Sequence, residues 1–593
     1  MASTEAGPNR PGIRARCAQI ALLAAIALAP WPYGCAQETW RFALAAVLLL
    51  ASALWWSDRA AGQHKSTALA VAALGLPALG VLQIALGTSV SPIATAEATL
   101  ELAAFLAALV TCADMARDRR MALSIAAALL AGTSAQAVFG VVQSTVAPKT
   151  IYGVAPAIAQ TPFGSYVNHN HFAGLIEMAV PLAIGWSLGL WRRASGPTPA
   201  AIALGGLGLG LAAAVLASRS RGGLVALLGA MASLGLLWWI RHSRGERRRL
   251  DMLVAGVSSA AVLAFAWLAV PGDTRAHLLT VAGKATDSSQ SYRLDIATAT
   301  LRLAASRPLM GVGLGAYDDA VPAFKRAHGD VRTTHAESDV LQLLAEVGVL
   351  GIVACGVLAF VLFGRVRRQQ EERGDPIRRG IALGALAGVM GLALHSLVDF
   401  NLHIPANALM FVGLLGLCVA PTAHGTGEPA RAPGVTRWTT SLCVLSLLIL
   451  SFGSGWRAWG AVALAQARLL TGAQARIARL GDVLRYHPYL SDAYRERARA
   501  RMALAASRSL APARLARADL DLRAALRLRP FWGEAWADRG WVLWLQGNWP
   551  EARAAFDRAR ALDPTHLGIG EAASQFRVAE GRAGLPSAAH TLK

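Results

Sequence analysis

Residues 199–240 read PAAIALGGLGLGLAAAVLASRSRGGLVALLGAMASLGLLWWI, two long apolar runs joined by the short turn Ser218-Arg219-Ser220-Arg221-Gly222-Gly223. A helix that crosses a bilayer needs about 20 mostly apolar residues, and each run is close to that length. In lipid, every backbone N–H and C=O must be hydrogen-bonded within its own segment, so such runs fold as α-helices. The stretch therefore predicts a helical hairpin that spans a membrane.

The same pattern recurs along the whole chain. Of its 593 residues, 54% are hydrophobic and only 16% are charged, which excludes an ordinary soluble protein. The net charge of +21 does not indicate a nucleic-acid partner, because the basic residues lie between long uncharged apolar runs. At roughly 20 residues for each span, we predict an all-α fold, a polytopic membrane helical bundle of about 13 spans. The candidate spans lie near 17–34, 41–56, 67–87, 93–112, 121–146, 171–191, 199–217, 223–240, 251–270, 338–364, 380–399, 404–421 and 437–455.

Lys and Arg residues indicate orientation, because loops rich in them stay on the cytoplasmic side. With the N-terminus inside, the inside loops carry 23 Lys and Arg residues, whereas the short outside loops carry only Arg41, Lys149, Arg219 and Arg221. The membrane domain is then residues 1–455, with a long outside loop at about 271–337. Residues 456–593 are also predicted to lie outside, since the number of spans is odd.

The tail from 456 to 593 resembles an array of tetratricopeptide repeats, 34-residue units whose two helices cross at small and aromatic residues. From Gly533 onward the pattern is met by Trp536, Gly540, Leu543, Ala552, Phe556, Ala559 and Pro564. A looser copy precedes it, with Ala518, Leu522, Ala525 and Pro530, and Tyr486-His487-Pro488 is interpreted as the end of a third. An ordinary helical-hairpin domain is the alternative. We expect these repeats to bind a protein partner or an acceptor.

Polar groups in or near spans are costly and therefore mark candidate sites. At the start of the sixth predicted span stand Asn168, Asn170 and His171, side chains suited to sugar hydroxyls or phosphate. The alternative is a loop in which asparagine caps the helix. His169 and His171 form a His-x-His pair, but no third ligand lies near in sequence, so we predict no metal site.

The turn between the seventh and eighth spans carries Arg219 and Arg221 on the side where arginine is otherwise rare. Guanidinium groups bind phosphate bidentately and stay charged when partly buried, so an anionic ligand explains them. Gly222 and Gly223 would let backbone N–H groups approach that anion at the start of the next helix. The alternative is that the arginines extend to lipid headgroups.

Two further polar clusters follow. The long outside loop holds Arg293 in an amphipathic helical stretch and ends with His335 and Glu337, both candidate proton acceptors. Capping of the next helix by Ser338 is an alternative that is compatible with this role. Three alternating glycines at 311–315 lack the strand–turn–helix context of a nucleotide loop. The second cluster, at 395–407, contains Asp399 and Asn401, for which a structural turn is the favoured interpretation.

In this order and placement, the clusters resemble the O-antigen ligase and O-antigen polymerase superfamily of bacterial membrane glycosyltransferases. The resemblance covers roughly 90–421, with its core at about 160–421. It rests on the four clusters, on Arg307-Pro308-Leu309 before the glycines, and on residues 339–351, which read DVLQLLAEVGVLG.

The resemblance implies an inner-membrane transferase that needs no cofactor, neither a nucleotide sugar nor a metal. Its donor would be a glycan linked to undecaprenyl pyrophosphate on the periplasmic side, and its acceptor a hydroxyl of a glycan, lipid or protein. Membrane lipids would surround it. The N-terminus would be cytoplasmic and the loop and tail periplasmic. Arg221 matches the family's turn arginine and Arg293 its loop arginine, with Arg219 an extra cation for the pyrophosphate.

One position departs from the family pattern. A catalytic histidine in the ligases stands eleven residues before the glycine that matches Gly348, and this chain has Glu337 there, with His335 two residues upstream. Either residue takes the role of base, or the protein binds a donor without the family's chemistry. Ligase, polymerase and protein O-glycosylation share that chemistry, and the acceptor distinguishes them.

A transporter or a flippase for a lipid-linked glycan is the alternative function. Against it, few ionisable residues lie within the spans, chiefly Glu97, Glu101 and Glu177, and the polar clusters gather on one face. A scaffold in which only the tail acts is disfavoured, because so many spans exceed what anchoring requires.

Overall fold

The computed structural model describes residues 12–58, 67–155, 161–242, 288–329, 331–371, 374–420, 437–505 and 511–583. Within these ranges the regular structure is helical, apart from two isolated bridges, Ile151 with Val154 and Phe163 with Tyr166. The predicted all-α fold is therefore confirmed. The ninth predicted span, 251–270, and residues 271–287 of the long loop lie outside the described residues.

Fifteen α-helices precede the tail in the described residues. They are α1 (Ile13–Leu28), α2 (Glu38–Asp58), α3 (Thr67–Ala73), α4 (Gly75–Ala85), α5 (Pro92–Met115), α6 (Arg119–Val146), α7 (His169–Ala194), α8 (Pro199–Ala217), α9 (Arg221–His242), α10 (Ser288–Ser306), α11 (Tyr317–Ala320), α12 (Asp339–Glu371), α13 (Pro376–His395), α14 (Pro405–Val419) and α15 (Arg437–Arg468). The tail contributes α16 (Ala473–Tyr486), α17 (Ser491–Ala505), α18 (Ala511–Leu528), α19 (Gly533–Leu545), α20 (Trp549–Leu562) and α21 (Leu567–Arg582).

Ten helices of the described chain are long and apolar enough to cross a membrane. They are Glu38–Asp58, Ala68–Ala85, Pro92–Met115, Arg119–Val146, His169–Ala194, Pro199–Ala217, Arg221–Arg241, Asp339–Gln369, Pro376–His395 and Thr440–Arg468. Each coincides with one of the predicted spans. The first and twelfth predicted spans are shorter helices, α1 with 16 residues and α14 with 15.

Packing divides the chain into two compact units. Met1–Gly75, Leu100–Ala285 and Ala354–Gly455 contribute to the first unit, and Leu76–Thr99, Thr286–Val353 and Trp456–Lys593 contribute to the second. Each unit has its own buried apolar clusters, so each is stabilised by burial within itself.

In the first unit, α7 is the central helix and packs against α8, α9 and α13. Glycines bring α7 and α13 into backbone contact. A Cβ at Gly185 would lie 2.3 Å from the carbonyl oxygen of Gly380, and one at Gly384 would lie 2.2 Å from the carbonyl oxygen of Pro181. Small residues four apart allow this approach between membrane helices, where van der Waals packing takes over from the hydrophobic effect.

In the second unit, α12 is broken near its start. Gly348 has φ 58° and ψ −161°, so the helix bends there. The freed backbone is bonded by the preceding segment, since Val349 N–H donates to Pro308 O at 2.9 Å and Leu350 N–H to Leu309 O at 3.1 Å. A broken helix at membrane depth requires such substitute partners.

In the tail, each helix packs against the next helix along the chain. In the pair α19–α20, Phe556 is fully buried against Gly540, where an added Cβ would lie 2.9 Å from the ring. Leu543, Ala552 and Ala559 are also buried. These positions are the ones that the repeat pattern assigned to the helix crossing, so small and aromatic residues meet as expected.

Arg529, the residue directly after α18, joins the long loop to the tail within the second unit. Its Nε donates to Asp319 of α11 at 3.1 Å, and its Nη2 lies 3.5 Å from Asp318. The guanidinium also lies 4.6 Å from the ring centroid of Trp532. Burial and the neighbouring Asp319 raise the pKa of Asp318, against the opposing charges of Arg529 and Arg332. Arg529 is therefore the main counter-charge of two crowded carboxylates.

A methyl group at Gly185 should force α7 and α13 apart. Overpacking of this kind costs about 1–3 kcal/mol, so Gly185→Ala is expected to lower the Tm of the purified protein by several degrees in a fluorescence melt. Gly210→Ala in α8 is the control, because nothing lies within 4 Å of its Cβ position. Equal melting of both variants would contradict backbone contact between α7 and α13.

Removing Arg529 should loosen the loop from the tail. In Arg529→Ala the two aspartates lose their shared cation, which costs about 3 kcal/mol for a buried pair. Amide hydrogen exchange of residues 317–329 should accelerate at least tenfold by mass spectrometry. Arg577→Ala removes an arginine from an exposed ion pair with Asp557 and should leave those rates unchanged.

Candidate functional site

Arg293 and Glu337 form an ion pair in the second unit. Arg293 lies on α10, and its Nη2 is 3.5 Å from Oε2 of Glu337, in the segment that leads into α12. Both side chains are partly exposed, at 40% and 23%. Glu337 has φ 56°, a left-handed conformation that costs a non-glycine residue about 1–3 kcal/mol. The surrounding structure thus holds a strained residue beside the loop arginine.

His335 lies two residues before Glu337 and contacts α12. Its Nδ1 is 3.2 Å from Oε1 of Gln342, and the Ala336 N–H donates to the same oxygen at 3.2 Å. Ser338 Oγ accepts the N–H of Leu341 at 3.4 Å, as the capping interpretation predicts. The structure therefore brings Arg293 of α10 against the short segment that carries His335 and Glu337, and Ser338 caps the following helix there.

Tyr292, which precedes Arg293, is protonated beside this pair. Burial raises the pKa of Tyr292, and the charges of Glu337 and Asp295 raise it further, against a hydrogen bond with Thr333. The Tyr292 and Thr333 hydroxyl oxygens are 3.2 Å apart. Tyr292 is therefore a neutral hydrogen-bonding group rather than a base.

The glycine loop 311–315 uses its backbone N–H groups within the protein. Leu314 N–H donates to Oε1 of Gln83 at 2.9 Å, and Gly315 N–H donates to Oε2 of Glu346 at 2.8 Å. Gln83 in turn donates to the carbonyl oxygens of Met310 and Glu346. A nucleotide loop would offer its backbone N–H groups to phosphate. Here the N–H groups of Leu314 and Gly315 bond protein side chains instead.

Gln83, Gln342 and Glu346 are absent from the predicted site, yet all three are buried. One feature of the sequence could have identified them: each is a polar residue inside an apolar run. Burying a polar side chain in a membrane span is costly, so such a residue usually has a role.

Arg219 and Arg221 belong to the first unit. Arg219 is exposed with φ 62°, and Arg221 is the half-buried first residue of α9. Ser220 Oγ accepts the N–H of Gly223 at 3.0 Å, so this turn caps α9 itself. The glycines also provide space, since a Cβ at Gly222 would lie 2.6 Å from Nε2 of His395. The turn thus places two arginines at a helix N-terminus, where the dipole favours anions.

Beneath this turn lies a buried array of acids and imidazoles. Nδ1 of His395 is 3.0 Å from both oxygens of Glu177, and Nε2 of His395 is 3.8 Å from Asp399 Oδ2. Asp399 Oδ1 is 3.3 Å from Nε2 of His171. All four residues are less than 10% exposed. Glu177 and His395 were not predicted as site residues, and 218 positions separate them in sequence.

An amide network continues from this array. Asn407 donates to the His171 carbonyl oxygen at 2.8 Å and to Asn401 Oδ1 at 3.0 Å, and it accepts from the Tyr166 hydroxyl at 3.1 Å. The structure therefore gathers three predicted residues, His171, Asp399 and Asn401, into one buried network.

Asn168 and Asn170 lie at the edge of that network. Asn168 caps α7 by accepting the Asn170 N–H at 2.9 Å. Both side chains are half-buried. The capping role proposed as the alternative is thus present for Asn168, whereas Asn170 takes part through its backbone N–H.

Asp399 is strongly stabilised as a carboxylate. Burial opposes its ionisation, but the hydrogen bond and charge of His171, the charge of His395 and the Phe400 N–H together lower the pKa of Asp399 to about 2. The turn 396–404 is thus tied electrostatically to α7 and α13.

The three acids noted within the spans all have partners. Glu97 pairs with Arg457, Glu101 lies 3.5 Å from Arg41, and Glu177 bonds His395. Among the described residues, no group of three or more His, Cys, Asp and Glu side chains is arranged to hold a metal ion.

Residues 206–356 match the family model of O-antigen ligase, and residues 533–566 match that of the tetratricopeptide repeat. No curated protein matches the chain. The predicted resemblance, an O-antigen ligase with a tetratricopeptide tail, is thereby confirmed. The chain is a multi-pass membrane protein, and the match supports a glycosyltransferase-like role in surface polysaccharide assembly.

Asp399→Asn should destabilise the protein in a pH-dependent way. The depressed pKa corresponds to on the order of 2 kcal/mol of stability that is present above the unfolded-state pKa near 4. This stabilisation is lost as the pH falls toward 2. Thermal melts should therefore show a large gap between wild type and Asp399→Asn at pH 7 that narrows between pH 4 and pH 2.

Asp557→Asn is the matched control for that series, because Asp557 is exposed. This substitution should lower the free energy of unfolding by less than about 1 kcal/mol at every pH. A gap for Asp399→Asn that stays constant with pH would show that the carboxylate charge is not the stabilising feature.

Proposed function

We propose that this protein is a bacterial inner-membrane glycosyltransferase that transfers or polymerises a glycan from undecaprenyl pyrophosphate onto an acceptor hydroxyl at the periplasmic face. The observation that carries the proposal is the segment that places Glu337 against Arg293 with His335 beside it. That segment lies inside the region that matches O-antigen ligase. It combines a fixed cation with groups able to accept a proton.

The leaving group explains the arginines. In the reaction the acceptor oxygen bonds to the anomeric carbon, and the bond from that carbon to the pyrophosphate oxygen breaks with its electron pair. Negative charge therefore grows on the lipid pyrophosphate. Arg293 would stabilise that charge by guanidinium hydrogen bonds, and the family resemblance assigns the same role to Arg221, with Arg219 as a further cation. No cofactor is needed for this step.

The acceptor hydroxyl must lose a proton as it attacks. Glu337 and His335 are the two groups proposed to receive it, and general-base assistance of this kind contributes about 10²–10⁴-fold. Glu337 is held by Arg293 at 3.5 Å, so donor binding and the base are neighbours.

The remaining predicted residues have supporting roles in this proposal. Asn168 and Asn170, half-buried at the start of α7, are proposed to contact sugar hydroxyls. His171 pairs with Asp399, and Asn407 links Asn401 to the His171 carbonyl oxygen, so these buried residues would hold the turn in place. The membrane orientation follows from the loop charges, with a cytoplasmic N-terminus and a periplasmic tail whose repeats bind a protein partner or an acceptor.

Transfer can be measured with purified full-length protein in nanodiscs. The donor is undecaprenyl-pyrophosphate oligosaccharide from a strain that lacks the gene, and the acceptor is that strain's own membranes, which supply lipid, glycan and protein hydroxyls together. Arg221→Ala and Arg293→Ala should each lower the transfer rate about 100-fold. His335→Ala and Glu337→Ala should each lower it at least tenfold.

Arg326→Ala is the matched control, since Arg326 is an exposed arginine of the same loop. Full activity of all four site variants would refute the site. Movement of labelled lipid across the bilayer without a new glycosidic bond would support the flippase instead.

A further inference from the structure

A chain of contacts runs from His335 into the start of α12. His335 Nδ1 faces Oε1 of Gln342 at 3.2 Å, and Nε2 of Gln342 donates to Oε1 of Glu346 at 2.9 Å. Gln342 and Glu346 lie one helical turn apart, and their exposures are only 3% and 2%. Neither residue has a part in the site proposed above.

The orientation of the Gln342 amide is fixed without reference to the imidazole. The Ala336 N–H lies 3.2 Å from one end of the amide and can only donate, so that end is the oxygen. The other end faces a carboxylate oxygen of Glu346, which accepts, so that end is the NH₂ group. If the amide were flipped, its NH₂ group would face the Ala336 N–H and its oxygen would face the Glu346 carboxylate, and neither pair could form a hydrogen bond.

The proton on His335 follows from that orientation. Because Nδ1 faces an oxygen that only accepts, Nδ1 must carry a hydrogen and donate it. In the neutral ring the lone pair is then on Nε2, as the partner of one ring nitrogen determines the state of the other.

We propose that Gln342 and Glu346 are positioning residues that hold His335 as the Nδ1–H tautomer, so that Nε2 is the base of the transfer reaction. The acceptor O–H proton passes to Nε2, the acceptor oxygen bonds to the anomeric carbon, and the pyrophosphate leaves with the electron pair. His335 then releases the proton to water. This assignment of a base rests on the proposed function, whereas the tautomer does not.

Glu346 is itself held by hydrogen bonds to both its side chain and its backbone. Its Oε2 accepts the Gly315 N–H at 2.8 Å, and its carbonyl oxygen accepts from Gln83 Nε2 at 2.9 Å and from the Gly313 N–H at 3.0 Å. The glycine loop thus fixes the carboxylate that fixes the amide. The alternating glycines therefore have a structural role, because their N–H groups hold Glu346 rather than a nucleotide.

The same geometry separates the roles of the two candidate bases. Oε2 of Glu337 is engaged by the guanidinium of Arg293 at 3.5 Å. His335 instead has a buried partner on one nitrogen, which is how a general base is oriented. Glu337 then holds Arg293 for the donor, while His335 accepts the proton.

The tautomer can be read directly by solid-state NMR of the full-length protein labelled with ¹⁵N-histidine, at a pH above the imidazole titration. His335→Gln identifies the His335 signals by subtraction. Wild type should show a protonated Nδ1 and a bare Nε2. Gln342→Met removes the acceptor and should shift His335 toward the Nε2–H form, the tautomer that an unconstrained neutral histidine side chain prefers in water. Glu346→Gln, a milder change, should give a mixture.

Kinetics in the transfer assay supply the second measurement. Gln342→Met should lower kcat about 10–100-fold with little change in the KM for the lipid-linked donor, as loss of a supporting hydrogen bond does. Gln369→Met is the matched control on the same helix, where the amide only donates to the Leu417 carbonyl oxygen, and kcat should be kept.

The two proposals fail separately. An Nε2–H tautomer in wild type, or no shift in either variant, would overturn the positioning role even if glycan transfer is observed. Equal kcat for Gln342→Met and Gln369→Met would also overturn it. A wild-type protein that shows the Nδ1–H form but transfers no glycan would instead overturn the proposed function and leave the positioning intact.

Discussion

The first unit depends on backbone contact between α7 and α13, at Gly185 and Gly380 and again at Gly384 and Pro181. In lipid, apolar side chains gain little by leaving one apolar surrounding for another, so close van der Waals packing must hold helices together. Glycine permits that packing because nothing projects between the two backbones. The contact also brings Glu177 on α7 to His395 at the end of α13, and the buried array of acids and imidazoles exists only because the helices are this close.

The second unit depends on the break in α12. A helix that bends at Gly348 exposes backbone groups, and the segment around residues 308–315 bonds them. That segment needs positive φ at Gly311, Gly313 and Gly315, which explains the alternating glycines. Once the loop lies against α12, Gln83 and Glu346 connect the two, and the segment that carries His335 and Glu337 is built on a rigid support. In this unit, the contacts that satisfy the broken backbone of α12 therefore also support the segment that carries the site residues.

Much of the architecture was predictable because it depends on local sequence. Hydropathy over about 20 residues indicated the ten long apolar helices, and the small and aromatic positions from Gly533 onward indicated the repeat that the family comparison confirms. Spans such as 404–421 were less well defined, since α14 has only 15 residues. The position of Arg293 near Glu337 was suggested by the family pattern. Its 3.5 Å contact required the structure, because a loop's path is not encoded in periodicity.

By itself the sequence determined a helical membrane protein, the likeness to O-antigen ligases, the repeat tail and the few arginines and acids that carry candidate chemistry. Only the tertiary structure decided which of those residues meet. Asp399 joins His171 across more than two hundred positions, and Arg293 meets Glu337 across more than forty. The reason is physical: hydropathy is a sum over neighbours in the chain, whereas the state of a buried polar group is set by the donor or acceptor that packing places within about 3 Å of it.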